Sequence, residues 1–190
     1  MGKLLDLIVD NWDLTWTAEP GIGTDKHNEH DYIQGFYDAE FEKYCDKPID
    51  LLEIGIFGGA SLALWSKYFP YATLTGVDIN NNIDPKYREV ERVQHLFSNA
   101  YDYKFVNSLG TFDIIIDDGP HSLDSQIQCL RLYLDKLNPG GILVIEDVQD
   151  PGWFDYLKEN TPKKYMDGVE CIDIRENLGR WDDLLYVVRV

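Results

Sequence analysis

Cysteine is scarce in this chain. The three present, Cys45, Cys129 and Cys171, are scattered and odd in number, with no Cys-x-x-Cys pair. That argues against a disulfide framework or a thiolate zinc site. It fits a reducing cytoplasm in which each is a small buried or half-buried residue. Basic residues are also few: 17 Lys and Arg face 34 Asp and Glu, a formal net charge of −17. The largest basic cluster is Lys163-Lys164, so neither nucleic acid nor an anionic membrane is an expected partner. The acid excess suits solubility, a bound cation or a neutral polyhydroxylated ligand. No apolar run approaches the ~20 residues of a membrane span. The opening MGKLLDLIVDNWD is too short and too acidic for a secretory leader and lacks the Ser/Thr of a myristoylation pattern. No repeat, low-complexity tract or linker interrupts the chain, and residues 1–190 are read as one domain.

What is present is an alternation of strand and helix signals. Leu4 to Trp12 reads as an amphipathic helix and Thr15 to Lys26 as a turn-rich loop. Tyr32, Phe36, Tyr37, Phe41 and Tyr44 fall at helical spacing. Lys47-Pro48 then separates an N-terminal portion, 1–48, from a core, 49–190. In the core, strands are expected at IDLLEIGIF, ATLTGVDI, RVQHLFS, DIIIDD and GILVIED. Helices are expected at GGASLALWSKYF, at Asp84 to Glu91, from His121 to Leu137 with NPGG as the stop, and at Trp153 to Glu159. GVECIDIR and DDLLYVVRV are two late strands with no long helix between them, hence an antiparallel pair. Alternating strands and helices predict a mostly parallel sheet covered on both faces.

EIGIFGG, Glu53 to Gly59, joins the first strand to the first helix. Glycines there let backbone approach a ligand, and the helix start offers free N–H groups. Asp78 ends the second strand, about 19 residues past the last glycine, where a carboxylate can accept hydrogen bonds from a ribose diol. Gly55, Gly58 and Gly59 do not form G-x-G-x-x-G. A dinucleotide and a plain tight turn therefore remain alternatives to another adenosine-bearing ligand. Acids also end the fourth and fifth strands, at Asp117-Asp118 and Glu146-Asp147. Strands one, four and five should be neighbours, so Asp118, Glu146 and Asp147 would converge on one rim and suit a hard cation such as Mg²⁺. His121 follows the Gly-Pro break at a helix start, where the dipole favours a neutral, basic imidazole. His95, inside a strand, is read as structural. Tyr37, Trp153 and Trp181 are candidates for stacking on a sugar face, against the commoner role of core packing.

E-x-G-x-x-x-G followed by a strand-ending acid resembles motifs I and II of class I S-adenosylmethionine-dependent methyltransferases. The resemblance puts Glu53, Gly55 and Gly58 beside the methionine part of the cofactor, Asp78 on the ribose, and Asn99, in NAYD, at the adenine. DIIIDDGPHS…LNPGGILVIED is similar, in turn, to metal-dependent sugar O-methyltransferases of the macrocin and mycinamicin type, whose pattern is DDGSH, a helix, PGG and a strand ending in ED. Pro120 stands here in place of Ser. GTDKHNEHDY, Gly23 to Tyr32, looks like the GTDK-x-x-x-H-x-Y segment of the same group. The resemblance implies Asp118, Glu146 and Asp147 as ligands of Mg²⁺ or another divalent cation such as Mn²⁺. It implies His121 as the base and His30 as a second acid/base or acceptor-pocket residue. Thr24, Lys26 and Tyr32 would lie near cofactor and acceptor, with Asp117 on the cofactor side. The implied fold is an α/β, Rossmann-like three-layer sandwich with a seven-stranded sheet of order 3-2-1-4-5-7-6 and an antiparallel C-terminal strand. The implied reaction is methylation of a hydroxyl on a sugar or on a glycosylated or nucleotide-linked small molecule. The N-terminal portion would cover the active site. The competing readings are a nicotinamide (NAD)-dependent oxidoreductase and a non-catalytic cofactor-binding protein; a homo-oligomer is left open.

Overall fold

The computed structural model describes residues 2–16 and 23–190. Part of the expected 15–26 loop therefore lies outside the described residues. The centre of the molecule is a seven-stranded sheet of order β3-β2-β1-β4-β5-β7-β6. The strands are β1 (Asp50–Ile54), β2 (Thr73–Asp78), β3 (Val93–Phe97), β4 (Phe112–Asp117), β5 (Leu137–Ile145), β6 (Val169–Asp173) and β7 (Leu184–Arg189). The first five pair in parallel, and β7 runs antiparallel to both β5 and β6. The expected order and the antiparallel end are both observed.

DIIID shows why the sheet is sealed on both faces. Side chains alternate along a strand. Ile114 and Ile116 therefore enter the core layer beneath α3 (Ala60–Tyr68), which also holds Trp65, Phe69 and the N-terminal aromatics Tyr37 and Phe41. Ile115 enters the opposite layer with Cys129, Leu130 and Tyr133 of α5 (Leu123–Tyr133). All three isoleucines are fully buried. Truncating one to Ala costs about 2–5 kcal/mol in such a site. α1 (Lys3–Asp10) buries Leu4, Leu5 and Ile8 on the first layer. The 32–44 segment is helical but irregular: a π turn at Ile33–Tyr37, then α2 (Asp38–Phe41), then a 3₁₀ turn at Glu42–Tyr44. No helix among the described residues is long and apolar enough to cross a membrane.

Several element boundaries differ from the sequence reading. The helix expected from His121 to Leu137 is α5 alone, followed by a 3₁₀ turn at Leu134–Lys136. His121 lies outside it in left-handed backbone (φ 52°), and Ser122 caps the helix in a reciprocal box with Ser125. Ser122 is in extended backbone and its side chain meets an N–H of the first turn, which fixes the helix start at Leu123. LNPGG does not stop that helix but opens β5. A residue before proline favours extended backbone, Asn138 Nδ2 donates to Asp113 Oδ1 at 3.0 Å, and Gly140 N–H donates to the Val190 carbonyl at 2.8 Å. Those bonds tie the segment to the sheet. Asp84 to Glu91 shrinks to a single 3₁₀ turn, Pro85–Tyr87, because Asp84 caps Lys86 N–H at 2.9 Å. A helix that periodicity did not suggest, α4 (Tyr103–Ser108), starts at an Asp102 side-chain cap. Two further short helices, α6 (Trp153–Asn160) and α7 (Arg175–Leu178), lie between β5 and β6 and between β6 and β7.

Candidate active site

The carboxyl ends of β1, β2 and β4 open on a cavity of about 470 Å³, within the ~300–1,000 Å³ usual for small-molecule sites. Three sequence features build it. Gly55 adopts φ 81°, and a Cβ placed there would stand 1.9 Å from the Asp118 carbonyl oxygen. Only glycine lets the β1 and β4 loops approach this closely. Asp78 stands at the lip, with Oδ2 accepting from Phe57 N–H (3.1 Å) and Oδ1 from Asn80 N–H (2.9 Å). Ionised, the carboxylate has about four acceptor positions, so two remain for a diol. On the third side Tyr101 presents its ring, and its hydroxyl donates to Asp117 Oδ1 at 2.7 Å.

Thr24, Gly55, Gly58, Asp78 and Asn99 line this cavity, as do Asp118 and His121. Glu53, Lys26 and Asp117 stand behind its wall. Asp117 is 2% exposed, and burial pushes its pKa up to about 6 against the opposing Tyr101 hydroxyl. Glu53 is wholly enclosed, accepts from the Ser61 hydroxyl at 2.8 Å, and is pushed by burial up to about 7 despite the nearby Lys26. Lys26 is the centre of this inner layer. Its Nζ is 2.7 Å from Asp118 Oδ2 and 3.5 Å from Glu53 Oε1, and it bonds Glu146 Oε2 closely. Burial, the largest influence, works to lower its pKa. The carboxylates of Asp118, Glu146 and Glu53 together overcome that and hold it well above the ordinary lysine value.

On the outer side, His121 Nε2 is 3.7 Å from Asp118 Oδ1 and His121 Nδ1 is 3.5 Å from Asp147 Oδ2. One donor atom from each of Asp118, His121 and Asp147 lies within 4.8 Å of the others, a spacing one cation can span. Asp147 also receives the Tyr32 hydroxyl and sits in left-handed backbone (φ 51°), as does the cavity-lining Phe57 (φ 41°). Such positions cost about 1–3 kcal/mol each and concentrate where function constrains the chain. Glu146 is turned inward instead, to Lys26 and to the Tyr37 hydroxyl at 2.5 Å. Tyr37 is thereby core, not a stacking surface. His30 is also buried: its Nδ1 is 2.6 Å from Asp183 Oδ1 and 3.6 Å from Asp147 Oδ1, and its ring stacks on Tyr32. Trp181 is exposed, and Trp153 packs against the second core layer. His95 lies in β3, remote from this cavity, where burial lowers its pKa.

Sequence reasoning did not single out Asp25, Trp16, Phe57 or Tyr101, all of which line the cavity. Tyr101 was within reach, as the third residue of NAYD. Trp16 was not, because its place depends on pairing between Thr15 and Thr24 across the intervening segment.

A glycine-cradled cavity at the carboxyl ends of a sheet of this order defines a class I methyltransferase fold. Residues 52–148 match a family described as methyltransferase domain, and the chain belongs to that family. The membership sets aside the dinucleotide-oxidoreductase reading. Among similar proteins, 8-demethyl-8-alpha-L-rhamnosyl tetracenomycin-C 2'-O-methyltransferase of Streptomyces olivaceus is 31% identical over 141 residues, 69% of this chain and 36% of that protein. Demethylmacrocin O-methyltransferase of Streptomyces fradiae is 29% identical over 166 residues, 76% of this chain and 41% of that protein. The chain thus spans well under half of these relatives. The MycE methyltransferase from the mycinamycin biosynthetic pathway, solved with Mg, SAH and mycinamycin VI, shares the fold with a TM-score of 0.68 at 20% identity, covering 97% of this chain and 52% of that one.

Proposed function

We propose that the protein is an S-adenosylmethionine-dependent, divalent-cation-assisted O-methyltransferase acting on a sugar hydroxyl of a glycosylated small molecule. The observation that carries this reading is the meeting, in one cavity, of the Gly55–Asp78 cradle with Asp118 and His121, behind which Asp147 stands at one-ion spacing. Gly55 removes the Cβ that would fill the cradle, and Asp78 keeps acceptor capacity for a ribose, so the residues fit the cofactor. Asn99 and Tyr101 would flank its base. The two carboxylates Asp118 and Asp147, at one-ion spacing, fit a Mg²⁺ or Mn²⁺ ion with positions left for water and acceptor oxygens, while His121 beside them stays free to act as base. Glu146 is the expected third carboxylate and is engaged by Lys26. The name of the Streptomyces olivaceus relative, a 2'-O-methyltransferase of a rhamnosyl-bearing compound, supports the acceptor class.

S-adenosylmethionine supplies a methyl group already activated by its sulfonium charge, and a bound cation lowers the pKa of the hydroxyl that receives it. The protein's own task is positioning and proton removal. His121 lines the cavity, and its Nε2 takes the hydroxyl proton. Asp147, facing Nδ1, orients the ring and stabilises the imidazolium that forms. Thr24 and Asp25 close the acceptor side.

Calorimetry with S-adenosylhomocysteine and with NAD tests the cofactor: heat is expected only with the first, and its absence rejects the proposal. Methyl transfer to a panel of deoxysugar-bearing polyketides, with and without EDTA, tests the cation and the acceptor. Undiminished turnover in EDTA would remove the cation from the mechanism.

A further inference from the structure

Among the described residues, the Lys26 side chain meets only acids, and it does not line the cavity. It is 1% exposed, and its Nζ meets Asp118 Oδ2, Glu146 Oε2 and Glu53 Oε1. An ammonium carries three N–H donors; two are hydrogen-bonded to Asp118 and Glu146, and Glu53 Oε1 stands at 3.5 Å as a charge contact without a hydrogen bond. The three acids come from the ends of β1, β4 and β5, so the contacts bind those strand ends together. Asp118 belongs to both layers: Oδ2 is taken by Lys26 while Oδ1 faces His121. Without a positive charge the three acids would repel one another at close range.

We infer that Lys26 is a resident cation that holds Asp118 and Glu146 in place and competes with a divalent cation for their oxygens. This extends the metal-assisted reading above. Lys26 is a positioning residue: it acts through Asp118 and touches neither cofactor nor acceptor. Its charge keeps the rim preorganised before a cation arrives and would weaken the hold of Asp118 and Glu146 on that cation. A lysine with a purely structural role would behave differently on removal, because loss of packing loosens a site and does not tighten it.

The test is Mn²⁺ binding to the purified protein, by calorimetry and by the electron paramagnetic resonance signal of free Mn²⁺. Lys26→Met should bind Mn²⁺ roughly tenfold or more tightly than wild type. Its melting temperature should fall without metal and be restored by Mn²⁺ more than that of wild type. Lys26→Arg, which keeps the charge, should retain wild-type affinity. A folded Lys26→Met that binds Mn²⁺ no more tightly than wild type overturns the inference. Should that variant fold only with Mn²⁺ present, the inference is supported; should it fold in neither condition, Lys26→Gln, neutral but still a donor, is held to the same criterion. If wild type binds no Mn²⁺ but Lys26→Met does, the cation-assisted reading fails while the role of Lys26 stands. If wild type binds through Asp118 and the variant gains nothing, the reverse holds; if neither binds, both fail.

Discussion

The Tyr101 hydroxyl donates to Asp117 Oδ1 across 2.7 Å, joining the wall of the cavity to a carboxylate buried under it. The bond fixes the Tyr101 ring from behind, and the burial costs stability whenever Asp117 is ionised. Its pKa is raised from 3.8 to about 6. A raised carboxyl pKa means that the folded state binds the proton more tightly than the unfolded one. Its contribution is complete below about pH 4 and lost as pH rises through 6, on the order of 3 kcal/mol. Asp117→Asn can still accept from Tyr101 but does not titrate. In urea unfolding its stability relative to wild type should climb between pH 4 and pH 6.5 and then level off. A pH-independent difference would contradict the assignment.

Gly55→Ala puts a methyl group 1.9 Å from the Asp118 carbonyl oxygen in backbone at φ 81°. The neighbour is main chain and cannot swing aside. A loss of about 2–4 kcal/mol is expected, together with weaker S-adenosylhomocysteine binding. A melting temperature within a degree or two of wild type would show that the two loops can part without cost.

Asp78→Ala removes the acceptor of two loop N–H groups and the proposed ribose contact. The site is partly exposed, so stability should change by about 1 kcal/mol or less. Affinity for S-adenosylhomocysteine should fall roughly tenfold to hundredfold, the usual cost of a charged hydrogen-bond partner. Unchanged affinity in calorimetry would place the ribose elsewhere.

His121→Ala separates proton transfer from binding. With an accepted saccharide, kcat should drop by about 10²–10⁴ while the S-adenosylhomocysteine Kd stays within about threefold. A change in Kd as large as the change in kcat would recast His121 as a binding residue.

His30→Gln examines a buried pair. His30 Nδ1 and Asp183 Oδ1 are 2.6 Å apart, and Asp183 has a raised pKa, from burial first and with His30 opposing. Removing the imidazole leaves a carboxylate enclosed with a weaker partner, at a cost of about 1–3 kcal/mol. Thermal unfolding should therefore respond more strongly than cofactor affinity; the opposite pattern would put His30 in the cavity's chemistry.

Much of the architecture is local enough to read from residues. IDLLEIGIF, DIIIDD and GILVIED are continuous apolar runs because parallel strands are covered on both faces, and their terminal acids mark the end where a site forms. The misread boundaries share one cause. At His121 and at LNPGG, side-chain caps and long-range backbone bonds outweighed the local helix and stop signals. The missed α4 depended on a single capping residue, Asp102, in a stretch without strong apolar periodicity.

The sequence by itself determined the alternation of strands and helices, the glycine turn, and which residue types stand at the strand ends, because these depend on neighbours a few positions apart. Only the tertiary structure decided what those acids face. Lys26 meets Asp118 and Glu146 from 92 and 120 positions away, and Tyr37 reaches Glu146 from 109. No periodicity encodes such pairings. They arise because several acids buried at adjoining strand ends repel one another, and the fold that survives is one that brings a cation and hydroxyl donors to them.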